Sequence, residues 1–183
     1  MLSSLSSLTK PMMEMNQTPG VIVEMLEKTL LRLQNAFRNQ PYPDLKQRIA
    51  WLDKLEKLTV QHGEDICRAI SLDFGHRAYH ETQLAELSAI VASVKHAKRH
   101  LAAWMKVKPV PTAFQFFPAK NSLLPQPLGV VGIISPWNYP HQLAIGPAIA
   151  AFAAGNRVMI KPSELTPHYS QLLAELIANF FWY

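Results

Sequence analysis

Two short groups of polar residues in this sequence have types and spacing that could do chemistry. Asn138 follows one apolar run, and Lys161 and Glu164 follow another. A carboxamide held between Trp137 and Tyr139 can donate a hydrogen bond to an oxygen that is becoming negative, as acyl transfer and carbonyl oxidation require. An ammonium that donates and a carboxylate that accepts can hold a polyol from two sides.

Each group also has a simpler interpretation. Asn138 fits a turn residue whose side chain bonds its own backbone. Lys161 and Glu164 fit a solvated ion pair in front of a helix. From the residues alone, the functional and the structural interpretation of both groups stay open.

A predicted strand–helix–strand unit positions both groups. Residues 130–134 and 157–160 are short apolar runs, typical of strands covered on both faces. Residues 143–154 are apolar nearly all round, which predicts a buried helix, and Gly155-Asn156 suits its end. A right-handed crossover brings the two strand ends to one edge of a parallel sheet, where open α/β folds bind ligands.

Helices are predicted on both sides of this unit. Apolar side chains recur at helical spacing over four segments ahead of it, 21–39, 44–62, 64–72 and 81–106. After the second strand, Thr166 suits an N-cap and Pro167 a first helical residue. The segments 113–117 and 121–124 read as two short extended pieces, with Pro118 confining the first to a sheet edge.

Two features that could suggest reactive or metal sites are interpreted as structural. Cys67, the only cysteine, lies on a short amphipathic helix with no general base nearby, which favours a small buried side chain. The His-Glu pair at residue 80 has Leu84 where a zinc-protease motif requires histidine. His96 and His100 fit the solvated face of their helix, so no metal site is predicted.

Composition excludes several classes of protein. A formal charge of +5 is spread over helices, and no basic stripe with aromatic platforms suggests nucleic-acid binding. The longest apolar run is too short to cross a bilayer. A single cysteine fits a reducing compartment, so a cytoplasmic, non-membrane protein is expected. Residues 1–20 are expected to form a flexible leader.

The stretch PLGVVGIISPWNYP, followed by AAGNRVMIKPSE, resembles the aldehyde dehydrogenase superfamily. The further stretch FGHRAYHETQLAE is similar to the coniferyl aldehyde dehydrogenases, within the branch that handles aromatic and fatty aldehydes. The resemblance implies that Asn138 stabilises the oxyanion of the reaction intermediate, and that Lys161 and Glu164 hold the adenine ribose of NAD or NADP. It also implies a cofactor groove lined by Ile134, Ser135, Pro136, Trp137 and Ser163.

The resemblance implies an α/β fold class: an N-terminal helical segment followed by the first βαβ part of an incomplete Rossmann-like cofactor domain. Residues 21–108 would form the helical part, 109–126 an extended arm used in oligomerisation, and 127–183 the first βαβα part. The expected partners are a small aldehyde substrate and further copies of the chain, as a homodimer or homotetramer.

The family's nucleophilic cysteine, general-base glutamate and glycine-rich pyrophosphate turn have no counterpart in these 183 residues. Two functions of different class follow. The chain is part of an NAD(P)-dependent enzyme that oxidises aldehydes to carboxylic acids, or it is a non-catalytic binding or interaction module. On its own it is expected to be inactive, and to associate through the apolar faces of helix 143–154 and residues 180–183.

Overall fold

The computed structural model describes residues 19–181, and the leader predicted over residues 1–20 lies almost entirely outside them. The helices are α1 (Pro19–Asn39), α2 (Leu45–Gln61), α3 (Gly63–Asp73), α4 (Tyr79–Thr82), α5 (Ser88–Trp104), α6 (Pro140–Ala153) and α7 (Pro167–Phe181). The strands are β1 (Lys108–Val110), β2 (Asn121–Leu123), β3 (Val130–Ile134) and β4 (Arg157–Lys161). The α/β class predicted from the sequence is therefore confirmed.

The predicted strand–helix–strand unit is present with nearly the expected boundaries. β3 and β4 pair in parallel, with Val130 opposite Arg157 and Ile134 opposite Lys161. α6 connects them and is largely buried against α2, α5 and the two strands. The core of the described residues gathers around this helix, with Leu52, Leu55, Leu58, Ile90, Val94, Ile145 and Ile149 among its members.

The turn after α6 is fixed by a buried arginine. Gly155 has φ +90°, and a Cβ placed there would lie 2.8 Å from Cζ of Arg48. The Arg48 side chain donates to the carbonyl oxygen of Ala153 at 3.0 Å and to that of Pro43 at 2.9 Å. Since the last carbonyls of a helix lack partners within it, Arg48 stabilises the end of α6. The predicted left-handed helix end is confirmed.

Only one of the two extended pieces predicted for the arm over residues 109–126 is extended in the structure. Residues 121–124 do contain a strand, but its antiparallel partner is β1, over Lys108–Val110. The segment 113–117, predicted to be extended, instead contains the short 3-10 helix Phe114–Phe116. The prediction of an extended piece there was wrong because a run of aromatic residues has the composition of a strand even where the backbone forms a turn.

The fourth predicted helix is interrupted. α4 and α5 are joined through a π-helical turn over Gln83–Leu87, which the even spacing of apolar residues did not indicate. A π-turn adds a residue to the helix and often occurs at functional sites. Its most buried member is Glu86, whose side chain is inaccessible to solvent.

The first turn of α7 is capped by a residue far away in the sequence. The helix begins at Pro167 as predicted, but the Thr166 hydroxyl donates to the carbonyl oxygen of Ser163. The carboxylate of Asp73 instead accepts from the backbone N–H groups of His168 and Tyr169, both at 2.9 Å. This contact joins α3 to α7 across 95 residues.

The apolar end of α7 is partly covered, which corrects the expectation of a fully exposed patch. Phe181 stacks on Phe152 with ring centroids 5.4 Å apart, and Phe180 meets His62 edge-on at 5.9 Å. Residues 182 and 183, the other half of that predicted patch, lie outside the described residues.

Replacing Asp73 with Ala should lower the free energy of unfolding by about 1–3 kcal/mol, because two backbone N–H groups of α7 lose their acceptor. Asp73→Asn keeps an acceptor and should cost less. Urea denaturation measures both changes, with the exposed Asp65→Ala as the matched control. A loss for Asp73→Ala no larger than for the control would contradict the capping role.

Candidate functional site

The two groups of polar residues predicted to do chemistry both follow the carboxyl ends of β3 and β4, at the same edge of the sheet. The backbone N–H of Ser135 donates to the carbonyl oxygen of Lys161 at 3.0 Å, which continues the parallel ladder by one residue. The loop that carries Asn138 therefore starts beside the loop that carries Glu164. This edge is where open parallel sheets bind ligands.

Of the residues predicted to line a cofactor groove, the apolar ones are exposed and the two serines are buried. Ile134 is 83% exposed and Trp137 50% exposed, and Pro136 is also exposed. Ser135 and Ser163 are buried. The hydroxyl of Ser163 accepts from the backbone N–H of Leu165, and that of Ser135 donates to the carbonyl oxygen of Pro136. The apolar residues thus form the accessible surface, while the two serines shape the turns beneath it.

Lys161 and Glu164 form an ion pair with each other on the surface. The hydrogen bond from the Lys161 ammonium lowers the pKa of the Glu164 carboxyl. Both side chains are mostly exposed, so the geometry is that of the solvated pair which the sequence left open. The pair still offers the remaining ammonium hydrogens of Lys161 and the carboxylate of Glu164 at the sheet edge, a set complementary to a diol.

Asn138 lies in the exposed loop between β3 and α6. Its backbone carbonyl oxygen accepts a hydrogen bond from Nη1 of Arg77 at 2.9 Å. Among the described residues nothing hydrogen-bonds its carboxamide, which leaves both amide hydrogens available to a ligand. The loop enters α6 directly, since the N–H of Leu143 donates to the carbonyl oxygen of Tyr139.

Beneath this loop lies a buried polar cluster that the sequence did not indicate. Oε2 of Glu86 accepts from the backbone N–H groups of His141 at 2.7 Å and Gln142 at 3.2 Å. Burial raises the pKa of the Glu86 carboxyl, although these N–H groups and the Arg77 guanidinium act in the opposite direction. A carboxylate at the first turn of a helix also interacts favourably with the helix dipole.

His141 links this cluster to two other helices. Its Nε2 lies 3.1 Å from the hydroxyl of Thr59, and its Nδ1 lies 3.2 Å from the hydroxyl of Tyr169. The imidazole is completely buried, and burial lowers its pKa to about 3. It is therefore neutral at ordinary pH, one ring nitrogen donating and the other accepting.

Cys67 is buried, whereas His96 and His100 lie on the exposed face of α5. The Cys67 thiol is buried, and desolvation, with smaller contributions from Glu86 and Glu64, raises its pKa, which opposes formation of a nucleophilic thiolate. Over residues 19–181 no cluster of three or more His, Cys, Asp or Glu side chains could hold a metal ion. None of the helices in that range combines the length and hydropathy needed to cross a membrane.

A parallel β3–β4 pair joined by a buried crossover helix is the βαβ unit from which α/β folds are built. A sequence profile of the aldehyde dehydrogenase family matches residues 17–180. The chain belongs to the aldehyde dehydrogenase family. Enzymes of this family are oxidoreductases that act on small aldehydes with NAD or NADP.

Two relatives and one solved structure illustrate the similarity. The chain is 44% identical over 158 residues to a coniferyl aldehyde dehydrogenase of Pseudomonas sp. strain HR199, covering 86% of this chain and 32% of that one. It is 40% identical over 181 residues to a probable coniferyl aldehyde dehydrogenase of Pseudomonas aeruginosa, covering 99% and 36%. The structure of a substrate-bound Staphylococcus aureus AldH superposes with a TM-score of 0.81 at 35% identity, covering 86% and 34%. The chain thus spans about a third of the length of these relatives.

The free energy of unfolding should fall as the pH drops below about 6.5, the ordinary pKa of histidine. Between that pH and the folded-state pKa of about 3, only the unfolded chain takes up a proton on His141, so unfolding becomes more favourable. His141→Gln keeps a donor and an acceptor but removes this uptake.

The difference in unfolding free energy between the native and His141→Gln chains should therefore change by about 2 kcal/mol between about pH 7 and about pH 5. Urea denaturation at the two pH values measures it. The raised pKa of Glu86 acts in the opposite direction, but it is common to both chains. Identical pH slopes would show that His141 is not buried as a neutral group.

Proposed function

We propose that this chain provides the first part of the cofactor site and the oxyanion donor of an enzyme that oxidises aldehydes to carboxylic acids. The observation that carries the proposal is the placement of Asn138, Lys161 and Glu164 at one sheet edge, in a chain of the aldehyde dehydrogenase family. The similarity to coniferyl aldehyde dehydrogenases supports an aromatic aldehyde as the substrate class, with aliphatic aldehydes as the alternative.

In this proposal Asn138 acts on the carbonyl oxygen of the substrate. When a thiolate adds to an aldehyde carbon, the C=O electron pair moves onto oxygen, and a fixed amide donor stabilises that charge. The thiolate is not Cys67, which is buried with a raised pKa and is the only cysteine of these 183 residues. The nucleophile must then come from outside them.

The nicotinamide cofactor supplies a hydride acceptor when it is bound. Lys161 and Glu164 fit its adenosine ribose, because the ammonium donates to hydroxyl oxygens while the carboxylate accepts from hydroxyl hydrogens. Ile134, Pro136 and Trp137 offer an accessible apolar surface beside them. Ser135 and Ser163 contribute by shaping the two turns rather than through exposed hydroxyls.

NAD is the proposed cofactor, with NADP as a weaker second. A 2′-phosphate would place negative charge against the Glu164 carboxylate, which favours the unphosphorylated ribose. Lys161 attracts phosphate and hydroxyl alike, so the result is a preference and not an exclusion. The exposure of both side chains allows the carboxylate to move aside.

Assembly and location complete the proposal. The β1–β2 hairpin has an open sheet edge and exposes Val110 and Leu123 on its strands, with Phe114 and Phe117 exposed in the connection between them. Such an edge with apolar side chains is suited to pairing with another copy of the chain, as a homodimer or homotetramer. A buried free thiol suits the reducing cytoplasm.

A non-catalytic role is the second candidate. The observation that favours it is that the one thiol of these 183 residues, Cys67 on α3, is buried and has a raised pKa, which opposes its action as a nucleophile. In that case the chain would bind the cofactor or a larger relative without turnover. NAD reduction by the 183-residue chain with coniferyl aldehyde does not separate the two candidates by itself, because the chain alone is expected to be inactive in both. The segment-exchange experiment that follows is needed to separate them.

The role of Asn138 can be tested by exchanging the matched N-terminal segment of the Pseudomonas sp. enzyme for residues 17–180 of this chain. The hybrid should oxidise coniferyl aldehyde. Asn138→Ala should then lower kcat about 100- to 1,000-fold, the effect of removing one oxyanion donor, with a smaller change in KM. Asn39→Ala, an exposed amide at the end of α1, is the matched control. An unchanged kcat for Asn138→Ala would refute the proposed function.

The role of Glu164 can be tested in the same hybrid. Glu164→Gln removes the charge that opposes a 2′-phosphate, so the value of kcat/KM for NAD divided by that for NADP should fall. Glu175→Gln, an exposed carboxylate on α7, should leave the ratio unchanged. A ratio unaffected by Glu164→Gln, or an original preference for NADP, would remove Glu164 from the cofactor site.

A further inference from the structure

We propose that Arg77 and Glu86 are positioning residues that set the orientation of the Asn138 loop from below. The inference rests on the proposed function, because it assumes that the carboxamide of Asn138 is the oxyanion donor. The contacts on which it rests do not depend on that role. Arg77 donates to the backbone carbonyl oxygen of Asn138, Glu86 accepts from the first N–H groups of α6, and the two side chains form a buried ion pair.

Arg77 holds the loop from the carbonyl side. Its Nη1 donates to the backbone carbonyl oxygen of Asn138 at 2.9 Å. The guanidinium lies over two aromatic rings, 5.0 Å from the centroid of Phe74 and 4.7 Å from that of Tyr139. Only 5% of its side chain is exposed. A planar cation between two rings has one favourable orientation, so the donor to residue 138 is fixed in direction.

Glu86 holds the same loop from its helical end. The fully buried carboxylate accepts from the N–H groups of His141 and Gln142, and its other oxygen lies 3.4 Å from Nη1 of Arg77. It reaches this position from the π-turn that interrupts the helix between α4 and α5. One carboxylate thus connects the start of α6 to the cation that holds Asn138.

The pair is held mainly by charge and stacking. Nε and Nη2 of Arg77 and Oε1 of Glu86 are buried without a well-aligned hydrogen bond, although Nη2 lies 3.2 Å from a carboxylate oxygen of Glu81. A buried ion pair with incomplete hydrogen bonding contributes little to stability compared with apolar packing. The Arg77–Glu86 pair is therefore better suited to orienting the Asn138 loop than to stabilising the fold.

Neighbouring side chains restrict the loop further. Phe74, which stacks on Arg77, also lies 6.0 Å from the ring of Trp137. Asp73, one residue earlier, caps α7. The short segment 73–77 therefore contacts the residues on both sides of Asn138 as well as the helix that follows the Lys161–Glu164 pair. An oxyanion donor is effective only when it is fixed in advance, which this support provides.

The test uses the complete 183-residue chain and compares Arg77→Met, Arg77→Lys and Glu86→Gln with the exposed control Arg68→Met. Hydrogen exchange measured by mass spectrometry should become at least about ten-fold faster in residues 136–143 of the three variants. Exchange in α2 and in β3 should stay within about two-fold of the native chain. The method reports on the loop whether or not the chain self-associates.

A second readout separates orientation from packing. With 15N-labelled asparagine, the backbone amide of Asn138 should give one resolved NMR signal in the native chain and in Arg68→Met. In Arg77→Lys the charge remains but the planar fork and its stacking are lost, so this signal should move toward the averaged shift of a mobile backbone.

Three results would overturn the inference: unchanged exchange in residues 136–143, exchange that accelerates equally throughout the chain, or an Asn138 signal unaffected by Arg77→Lys. Arg77→Lys and Glu86→Gln retain hydrogen-bonding capacity and decide the question even if Arg77→Met does not fold. None of these readouts depends on turnover. Failure of the proposed function would appear separately, as an unchanged kcat for Asn138→Ala in the hybrid enzyme.

Discussion

α6 is apolar over most of its length, and much of the described chain packs around it. A helix of this kind needs partners on most of its surface, and here only small stretches such as Pro147 and Ala150 stay exposed. α2 and α5 pack on it from one side and the β3–β4 pair from the other.

Burial of α6 also leaves the first backbone N–H groups of the helix in need of acceptors, and this requirement shapes the candidate site. The first N–H groups of α6 lie within the core, where water cannot satisfy them. Glu86 accepts from them, and a buried carboxylate in turn needs a cation, which Arg77 provides. The loop that carries Asn138 lies directly above that cation. The exposed loop is thus ordered by the electrostatics of a buried helix end.

Much of the fold could be predicted from local patterns. The short apolar runs of β3 and β4, the all-apolar α6 and the glycine at residue 155 each indicate their structure within a few residues. The positions of Asn138, Lys161 and Glu164 at one edge followed from parallel pairing, and the structure confirms that placement. Their roles with substrate and cofactor stay predictions.

The support beneath the site could not be predicted in this way. In the sequence, three charged residues look solvent-facing: Arg77, Glu81 and Glu86. Nothing in the local pattern shows that the side chains of Arg77 and Glu86 are buried. The capping of α7 by Asp73 joins positions 95 residues apart, whereas capping patterns are read within one helical turn. The π-turn could not be predicted either. It places the Glu86 carboxylate at the start of α6, and the spacing of apolar residues along its own helix does not indicate it.

The distance between Asp73 and its partners has a consequence during synthesis. The carboxylate leaves the ribosome 95 residues before the N–H groups of His168. At typical translation rates this interval is roughly 5–20 s, far longer than helices and short loops need to form. For that time the face of α3 that α7 later covers stays open to water, and the Asp73 carboxylate at its end has no backbone donor from α7.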